Sequence, residues 1–341
     1  MSLESIMDSA ESAPVRRRRR WLGCLPFLVV IGLLAGVGVY LSQHRDLLPP
    51  PKLTEGCEVN TADGVVDLSV EQMDNAGTIS AVAISRNLPE RAVTISLATA
   101  IQESKLENLT GGDRDSIGLF QQRPSQGWGT PAQIGDPVYA TNKFLDKLVK
   151  IRGYAQMPLT VAAQMVQHSG YPDAYAQHET DATTLAGALT GREPASLNCT
   201  VNGVGAVIPG AVSSDGMQPG ATTVAKALTK DFGRTVTPVA GPATAIPTPS
   251  ASGSSASGSG SASGSASAAP APGLNLSVHT GTGAAGTQRG WAVAQWAVAH
   301  CQELHIAAVS YGGKVWHSGR SSADGWQTSV PNSSVQITVA G

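Results

Sequence analysis

Charged and aromatic side chains are both scarce in this sequence. Only 14% of the 341 residues are charged, the formal net charge is −2, and aromatic residues make up 5%. Without an excess of Lys and Arg, no basic surface large enough to hold nucleic acid is expected, so we exclude a nucleic-acid-binding role. The sequence also has no C-x-x-C pair and no Cys/His pattern with the spacing of metal ligands. We therefore expect no metal and no cofactor.

One long apolar run stands out near the N-terminus. Residues 21–41 carry no charge, and five arginines, Arg16 to Arg20, precede them directly. About 20 apolar residues are enough to cross a bilayer as one helix, and a positive flank stays in the cytoplasm. The pattern predicts a single transmembrane helix over 21–41, a cytoplasmic tail over 1–20 and an outer stem over 42–56. The protein is then a single-pass plasma-membrane protein whose bulk is extracytoplasmic.

Three other interpretations of this segment fit less well. An Arg run can be a nuclear signal, but one that adjoins an apolar run is more typical of membrane topology. A cleaved signal peptide needs a shorter apolar region with a small-residue cleavage site, which "VYLSQH" does not supply. The "LGC" of a lipoprotein signal precedes the apolar run here instead of following it. We therefore expect an uncleaved anchor.

The four cysteines follow the same topology. Cys24 lies in the predicted span, whereas Cys57 and Cys199 flank one segment on the outer side. Disulfides persist in an extracytoplasmic compartment, so we predict a bond between Cys57 and Cys199. Cys301 remains, and we expect it to be a small buried apolar residue.

Residues 57–200 have the pattern of a mostly helical domain. Ser69 and Gln72 have the spacing of a capping box before a first apolar-periodic stretch, and Pro89 restarts a second helix in which Val93 and Leu97 recur. Asp136 caps a third helix. Two further helices are predicted in "MPLTVAAQMVQHS" and "TDATTLAGALTG".

The remainder of the chain has a different composition. Residues 206–240 predict a helix and a short strand, and 274–341 predict a small α+β unit with a Gly-Gly hairpin turn. In the last predicted strand, Val335, Ile337 and Val339 share one face. Residues 241–273 between them contain no charged or aromatic residue, and such Ser/Gly/Ala/Pro tracts cannot bury a core. We therefore expect 241–273 to stay flexible.

Glu103 is the main candidate for a functional residue. It lies in the last turn of a predicted helix, where the helix macrodipole disfavours a negative charge. Ser96, Thr99 and Ala100 lie beneath it on the same helix, and their small size predicts the wall of a cleft. A protonated Glu in a cleft can serve as a general acid toward a leaving oxygen.

The residues around Glu103 resemble a known family. "ES" at 103–104, Ser116 and "GLFQQRP" at 118–124 are similar to the Glu-Ser, Gly-Leu-Met-Gln and Pro pattern of lytic transglycosylases. Gly118 follows Glu103 by fifteen residues and Gln121 by eighteen, which is the usual spacing in that family. The resemblance covers roughly residues 69–190.

This resemblance implies a fold, an activity and roles for single residues. The fold is a lysozyme-like α domain, and the activity is cleavage of the β-1,4 bond between N-acetylmuramic acid and N-acetylglucosamine in peptidoglycan. Glu103 corresponds to the catalytic acid/base and Ser104 to the residue that orients it. Ser116 and Gln121 correspond to residues that line the saccharide cleft.

The chain departs from the family pattern in two places. Phe120 replaces the usual Met, which is a tolerable apolar exchange. The family's Ala-Tyr-Asn-x-Gly element is missing, and we expect Gln167 or Tyr171 to substitute for it in substrate binding. Asp113 and Asp115 follow Glu103 in a loop, where they serve either as a second carboxylate, which would allow hydrolysis, or as solvated turn formers.

The C-terminal part resembles zinc carboxypeptidases that cleave D-alanyl ends of peptidoglycan peptides. The resemblance depends on "QRGWAVAQWAVAH", "VSYGGKVWHSGRSSADGW" and "SSVQITVAG". The stretch "TVAKALTKDFGRTVTPVAG" resembles the opening helix and strand of the same fold, which implies that 241–273 is an insertion within one domain. Ser277 stands where that family has an aspartate ligand, and Gln336 stands where it has a histidine ligand. Neutral Ser and Gln do not replace those ligands, so we expect a module without metal. His279, His300 and His317 are expected to be ordinary half-buried residues.

Two hypotheses follow for the whole chain. The first is a membrane-anchored enzyme that cleaves peptidoglycan through Glu103. The second is a non-catalytic cell-wall-binding or morphogenesis scaffold that keeps both folds without their chemistry. Both hypotheses name glycan strands as the partner, with cell-wall or division proteins as further partners.

Overall fold

The computed structural model describes residues 52–171, 173–242 and 274–341. Residues Leu53–Gly341 form one compact unit. The predicted tail over 1–20, the predicted transmembrane helix over 21–41 and most of the stem and of the 241–273 tract lie outside the described residues. Within the described ranges, no helix combines the length and the apolar character that a membrane crossing requires.

Helices dominate the first part of this unit and recur in the second. The α-helices are α1 (Val70–Ser85), α2 (Glu90–Ser104), α3 (Pro131–Ile134), α4 (Pro137–Leu148), α5 (Leu159–Gln167), α6 (Glu179–Leu189), α7 (Pro219–Phe232) and α8 (Gly283–Ala299). Short 3₁₀ helices cover Pro124–Gln126, Tyr154–Gln156, Ala174–His178, Gly233–Thr235 and Gly319–Asp324. Together with two antiparallel sheets, they make a mixed α/β fold.

Local capping signals fix where the first helices begin. Ser69 caps α1 through a complete capping box with Gln72, as predicted. Asp136 accepts the backbone N–H groups of Val138 and Tyr139 at the start of α4, where Pro137 is the first residue. The structure confirms both predicted starts. The sequence could predict them because each depends on residues within one turn of the helix.

A small sheet in the helical part was not predicted. Strands β1 (Gly56–Thr61), β2 (Gly64–Leu68) and β3 (Leu197–Thr200) form an antiparallel sheet in the order β2-β1-β3. Cys57 and Cys199 stand opposite each other in the β1–β3 register and form the disulfide, which confirms the predicted pair. The region 57–200 is therefore not purely helical, because its two ends pair as strands.

The second sheet has six strands. Strands β4 (Thr237–Ala240), β5 (Asn275–His279), β6 (Ile306–Tyr311), β7 (Lys314–His317), β8 (Gln327–Thr328) and β9 (Val335–Val339) are arranged in the order β4-β5-β9-β6-β7-β8. Gly312 and Gly313 both have positive φ, 57° and 82°, and make the predicted hairpin turn between β6 and β7. Strand β4 precedes the 241–273 tract and β5 follows it, yet the two pair directly.

The last strand packs as its pattern predicts. Val335, Ile337 and Val339 are at most 1% exposed and join the hydrophobic core. That core is continuous from β1 through α1 and α2 to α8 and the six-stranded sheet. The helical part and the C-terminal α+β part therefore share one core, although the sequence predicts them as separate domains.

Gln295 joins the two parts through a fully buried side chain. Its Oε1 accepts the backbone N–H groups of Ser196 and Leu197, each at 2.9 Å. Its Nε2 donates to the carbonyls of Ala188 at 2.6 Å and Glu193 at 3.1 Å. A buried amide satisfied on both sides fixes α8 against the end of α6 and the start of β3.

A second polar cluster lies where α1, α7 and α8 meet. His300 Nδ1 is 2.8 Å from the carbonyl oxygen of Trp296, which can only accept, so Nδ1 carries a proton. The other ring nitrogen, Nε2, is 3.2 Å from Thr78 Oγ1, 3.4 Å from Asp74 Oδ1 and 3.8 Å from Asp231 Oδ2. The His300 side chain is only 5% exposed, so its prediction as an ordinary half-buried residue is wrong.

Burial sets the protonation of this cluster. Burial, with Glu303 close by, raises the pKa of Asp74 to about 8. Burial also lowers the pKa of His300, with Asp231 opposing the shift. Cys301 lies next in the chain, buried and unpaired, and burial raises the pKa of its thiol to about 12. Around neutral pH, both His300 and the Asp74 carboxyl therefore favour their uncharged forms.

We expect the Asp74→Asn variant to gain stability relative to wild type as pH rises through 8. The folded-state pKa of Asp74 is raised, so its contribution is complete below about pH 4 and is lost as pH rises through about 8. Between pH 7 and 9 the wild type should lose stability relative to the variant, on the order of 1 kcal/mol, which is the free energy of one pKa unit. The range from pH 7 to 9 lies above 6.5, the usual pKa of histidine. Because the pKa of His300 is lowered, its contribution to stability is lost as pH falls below 6.5, which is the opposite pH dependence.

Denaturant unfolding at pH 7 and pH 9 measures this difference. Asp67→Asn is the matched control, because Asp67 is exposed on β2. An Asp74→Asn difference from wild type that stays constant between the two pH values would contradict the assignment.

Candidate functional site

Glu103 lies in the last turn of α2 and is partly buried. The Tyr175 hydroxyl donates a hydrogen bond of 2.6 Å to Glu103 Oε1. Tyr175 is fully buried, and burial together with the Glu103 carboxylate raises the pKa of Tyr175 well above its usual range. The phenol therefore stays protonated and remains a donor to Glu103.

The sequence did not identify Tyr175 as the partner of Glu103. Tyr175 belongs to the 3₁₀ helix Ala174–His178, in the segment where the family's Tyr-Asn element is missing. Tyr171, which was predicted to bind substrate, is 78% exposed. Gln167, the other expected substitute, donates from Nε2 to the Phe120 carbonyl at 2.9 Å. The "DAY" at 173–175 is the signal that could have identified Tyr175.

The prediction that small residues of α2 form the wall of a cleft is wrong. Ser96, Thr99 and Ala100 are each 0% exposed. The Ser96 and Thr99 hydroxyls donate to carbonyls one turn earlier in α2, at 2.8 and 2.7 Å. These small residues allow close packing of α2 within the core.

Ser104 connects the end of α2 to the turn over residues 118–121. Its hydroxyl lies 2.8 Å from the Leu119 carbonyl and 3.0 Å from the Ala100 carbonyl. Ser104 is 4% exposed. Its bond to the Leu119 carbonyl holds the backbone next to Glu103. Ser104 was expected to orient Glu103. Its hydroxyl bonds to backbone carbonyls and not to the Glu103 carboxylate, so it acts on Glu103 through the backbone.

The segment "GLFQ" forms a tight turn. Ile117 and Gln122 exchange two backbone hydrogen bonds, of 2.9 and 3.0 Å, around residues 118–121. Gly118 has φ 76°, and a Cβ there would lie 2.8 Å from the Ile134 carbonyl oxygen, so only glycine fits. Gln121 also has a positive φ, 45°, and its side-chain amide lies against Gly112.

Ser116 and the two loop aspartates hold the loop after α2. Ser116 is buried, and its backbone N–H donates to the Asp113 carbonyl at 3.1 Å. Asp115 accepts Arg123 Nε at 2.7 Å and the backbone N–H of Ser125 at 2.8 Å, and these bonds hold the pKa of Asp115 well below its usual range. The Asp113 side chain is 95% exposed. The engaged carboxylate of Asp115 agrees with the role of a turn former.

The backbone directly after Glu103 and Ser104 is unusual. Lys105 and Leu106 both have left-handed conformations, with φ 56° and 62°. Neither residue is glycine, and each such residue costs about 1–2 kcal/mol relative to the right-handed form. The backbone N–H groups of both residues bond to carbonyls of α2, Lys105 to Ile101 at 2.9 Å and Leu106 to Ala100 at 3.2 Å, and these bonds close the end of the helix.

In the C-terminal sheet, Ser277 and Gln336 stand where zinc carboxypeptidases were expected to have metal ligands, and here the two side chains bond to each other. Gln336 Nε2 donates to Ser277 Oγ at 3.0 Å, across the β5–β9 register in which they are paired. His279 is exposed and its Nδ1 lies 3.1 Å from Ser334 Oγ, while His317 is partly buried on β7. Within the ranges that the structure describes, no group of three or more His, Cys, Asp or Glu side chains is arranged to hold a metal ion.

One family model matches the chain. Residues 213–336 match the model described as VldE, C-terminal domain, which covers about a third of the sequence. The matched range begins just before α7 and ends within β9, so it includes most of the six-stranded sheet and the 241–273 tract. No curated protein matches the chain.

Proposed function

We propose that this protein is a membrane-anchored, peptidoglycan-cleaving enzyme in which Glu103 is the general acid/base. The supporting observation is the hydrogen bond of 2.6 Å that holds Glu103 Oε1 to a buried, protonated Tyr175. This bond fixes one carboxyl oxygen and leaves Oε2 for proton transfer. The motif residues Glu103, Ser104, Gly118 and Gln121, which resemble those of lytic transglycosylases, support the same activity.

The proposed reaction needs a single carboxyl group. Glu103 donates its proton to the glycosidic oxygen as the bond to C1 of N-acetylmuramic acid breaks. The 6-hydroxyl of the same sugar then attacks C1 and returns its proton to the Glu103 carboxylate. The product is a 1,6-anhydro end, and no water is consumed. The engaged carboxylate of Asp115 agrees with a reaction in which no second carboxylate activates water.

We further propose that this activity lies at the cell surface. Residues 21–41 are proposed as the anchor, with residues 1–20 in the cytoplasm and the bulk of the chain outside. The Cys57–Cys199 disulfide supports an oxidising compartment for that bulk. The lysozyme-like assignment of 57–200 and the carboxypeptidase-like assignment of 206–240 with 274–341 remain part of this proposal.

Analysis of released muropeptides tests the activity. Full-length protein in detergent is incubated with purified peptidoglycan, and the masses of the products are determined. We expect 1,6-anhydro ends, each lighter than the hydrolysed product by one water. Hydrated ends would instead indicate a lysozyme-type hydrolase, and complete inertness toward intact and de-acetylated glycans would refute an enzymatic role.

A cell-wall-binding or morphogenesis scaffold is the second candidate. The Ser277–Gln336 bond favours it for the C-terminal part. These side chains stand at the positions of metal ligands in zinc carboxypeptidases, and here they form a hydrogen bond with each other. On this hypothesis the protein binds glycan strands, and cell-wall or division proteins, without cleaving anything. Sedimentation with insoluble peptidoglycan without release of products would support the scaffold.

A further inference from the structure

The left-handed turn after Glu103 is held by two side chains from a different helix. Gln72 Nε2 donates to the Lys105 carbonyl at 2.8 Å, and Asn75 Nδ2 donates to the Leu106 carbonyl at 2.8 Å. Both donors lie on α1, about one helical turn apart, more than 30 residues before the carbonyls that they reach. The end of α2 is thus held by contacts across the fold as well as by its own chain.

These contacts act where the backbone is least favourable. Non-glycine residues avoid the left-handed region, so the turn at 105–106 persists only if surrounding contacts fix it. Leu106 is 0% exposed, and its buried carbonyl needs a donor to offset desolvation. Asn75, itself 5% exposed, supplies that donor.

The two donors differ in their other duties. Gln72 also accepts the backbone N–H of Ser69 at 2.9 Å, which completes the capping box at the start of α1. Loss of Gln72 therefore disturbs the ends of two helices. Asn75 is the cleaner probe, because it donates to the turn and is not part of the capping box.

We infer that Asn75, assisted by Gln72, is a positioning residue that fixes the Lys105–Leu106 turn and so holds Glu103 against the Tyr175 hydroxyl. Glu103 precedes the turn by two residues, and Ser104 is held separately to the Leu119 carbonyl. A change in the turn therefore changes the direction in which α2 presents Glu103. The effect of this positioning on catalysis rests on the proposed function, whereas the geometry does not.

The test uses Asn75→Ala with a glycine rescue. Asn75→Ala removes the donor, and Asn75→Ala/Lys105→Gly lets the exposed position 105 adopt the left-handed form without cost. Ser80→Ala is the matched control, because Ser80 is a buried polar residue of α1 whose hydroxyl donates only within that helix, to Ala76. Gln72→Ala is the second variant if Asn75→Ala folds poorly, because Gln72 is only partly buried and donates to the neighbouring Lys105 carbonyl.

The first measurement does not depend on activity. The ¹³Cζ resonance of Tyr175 reports the hydrogen bond to Glu103, and Glu103→Ala, which has no acceptor, gives the reference for its loss. We expect Asn75→Ala to move this resonance toward the Glu103→Ala value, Ser80→Ala to leave it at the wild-type value, and the glycine variant to return most of the shift. An unmoved resonance in Asn75→Ala, an equal shift in Ser80→Ala, or no recovery with glycine would overturn the inference.

The second measurement separates this inference from the proposed function. If wild type releases muropeptides, Asn75→Ala should lower kcat roughly tenfold to hundredfold with little change in KM, and Lys105→Gly should restore most of it. A fall in kcat equal to that of Ser80→Ala would overturn the positioning role. If wild type releases no product, the proposed function fails, and the Tyr175 resonance alone decides the inference.

Discussion

Glu103→Gln should retain the fold and lose peptidoglycan cleavage by a factor of about 10² to 10⁴, the usual value of general-acid assistance. Gln has the same size as Glu and still accepts a hydrogen bond from Tyr175 through its carbonyl oxygen. It has no proton to deliver to the glycosidic oxygen. The release of anhydro-muropeptides at matched protein concentration measures the loss, and thermal unfolding shows that the variant is folded.

Two further variants make this result specific to Glu103. Glu107→Gln is the matched control, because Glu107 is exposed and lies four residues further along the chain, beyond the end of α2. This variant should cleave at the wild-type rate. Tyr175→Phe removes the donor but keeps the ring in the core, so an intermediate loss is expected. Glu103→Gln activity equal to that of Glu107→Gln would eliminate Glu103 as the acid.

The chemical form of the product decides between two roles for the loop carboxylates. Hydrated ends would require a group that activates water, and Asp113 or Asp115 would then be the candidates. Asp115 is held by Arg123 and Ser125, so it would have to leave these bonds to act. Asp113 is exposed, and its ion-pair partner Arg114 lies at 3.9 Å. Anhydro ends from wild type leave both residues as parts of the loop.

Features set by neighbouring residues could be predicted from the sequence. The Ser69–Gln72 capping box, the Asp136–Pro137 start of α4 and the Gly312–Gly313 hairpin each depend on a few consecutive side chains. The same holds for the one-face pattern of β9. Such signals are local, so the rest of the fold cannot override them easily.

Contacts between distant residues could not be predicted in this way. Tyr175 lies 72 residues from Glu103, and Thr78 lies 222 residues from His300. The strands β1 and β3 are short, and in β1 only Cys57 and Val59 point into the core, which is too few for an alternating pattern to be recognised. Small residues on α2 were misinterpreted for a related reason, since Ser and Ala suit both a cleft wall and a tight helix contact.

The second large effect concerns the disulfide. Replacing Cys57 and Cys199 together by Ala should lower the free energy of unfolding by about 5 kcal/mol in the chain-entropy model, because the bond closes a loop of 142 residues. That loop contains α1 to α6, and with them Glu103 and Tyr175. The bond joins β1 to β3, so its loss frees the two ends of the helical part from each other in the unfolded chain.

The native contacts around the bond predict that the variant still folds. Strands β1 and β3 remain paired, and Gln295 and Trp326 still hold Leu197 through its backbone N–H and carbonyl, at 2.9 and 2.8 Å. Denaturant unfolding of the double variant measures the effect directly, whereas reductant reaches the wild-type bond slowly because both cysteines are at most 3% exposed. Cys301→Ala is the control for loss of a buried sulfur without loss of a cross-link. A double variant no less stable than this control would show that the β1–β3 pairing and the Gln295 network alone close the loop, and that the bond adds nothing to them.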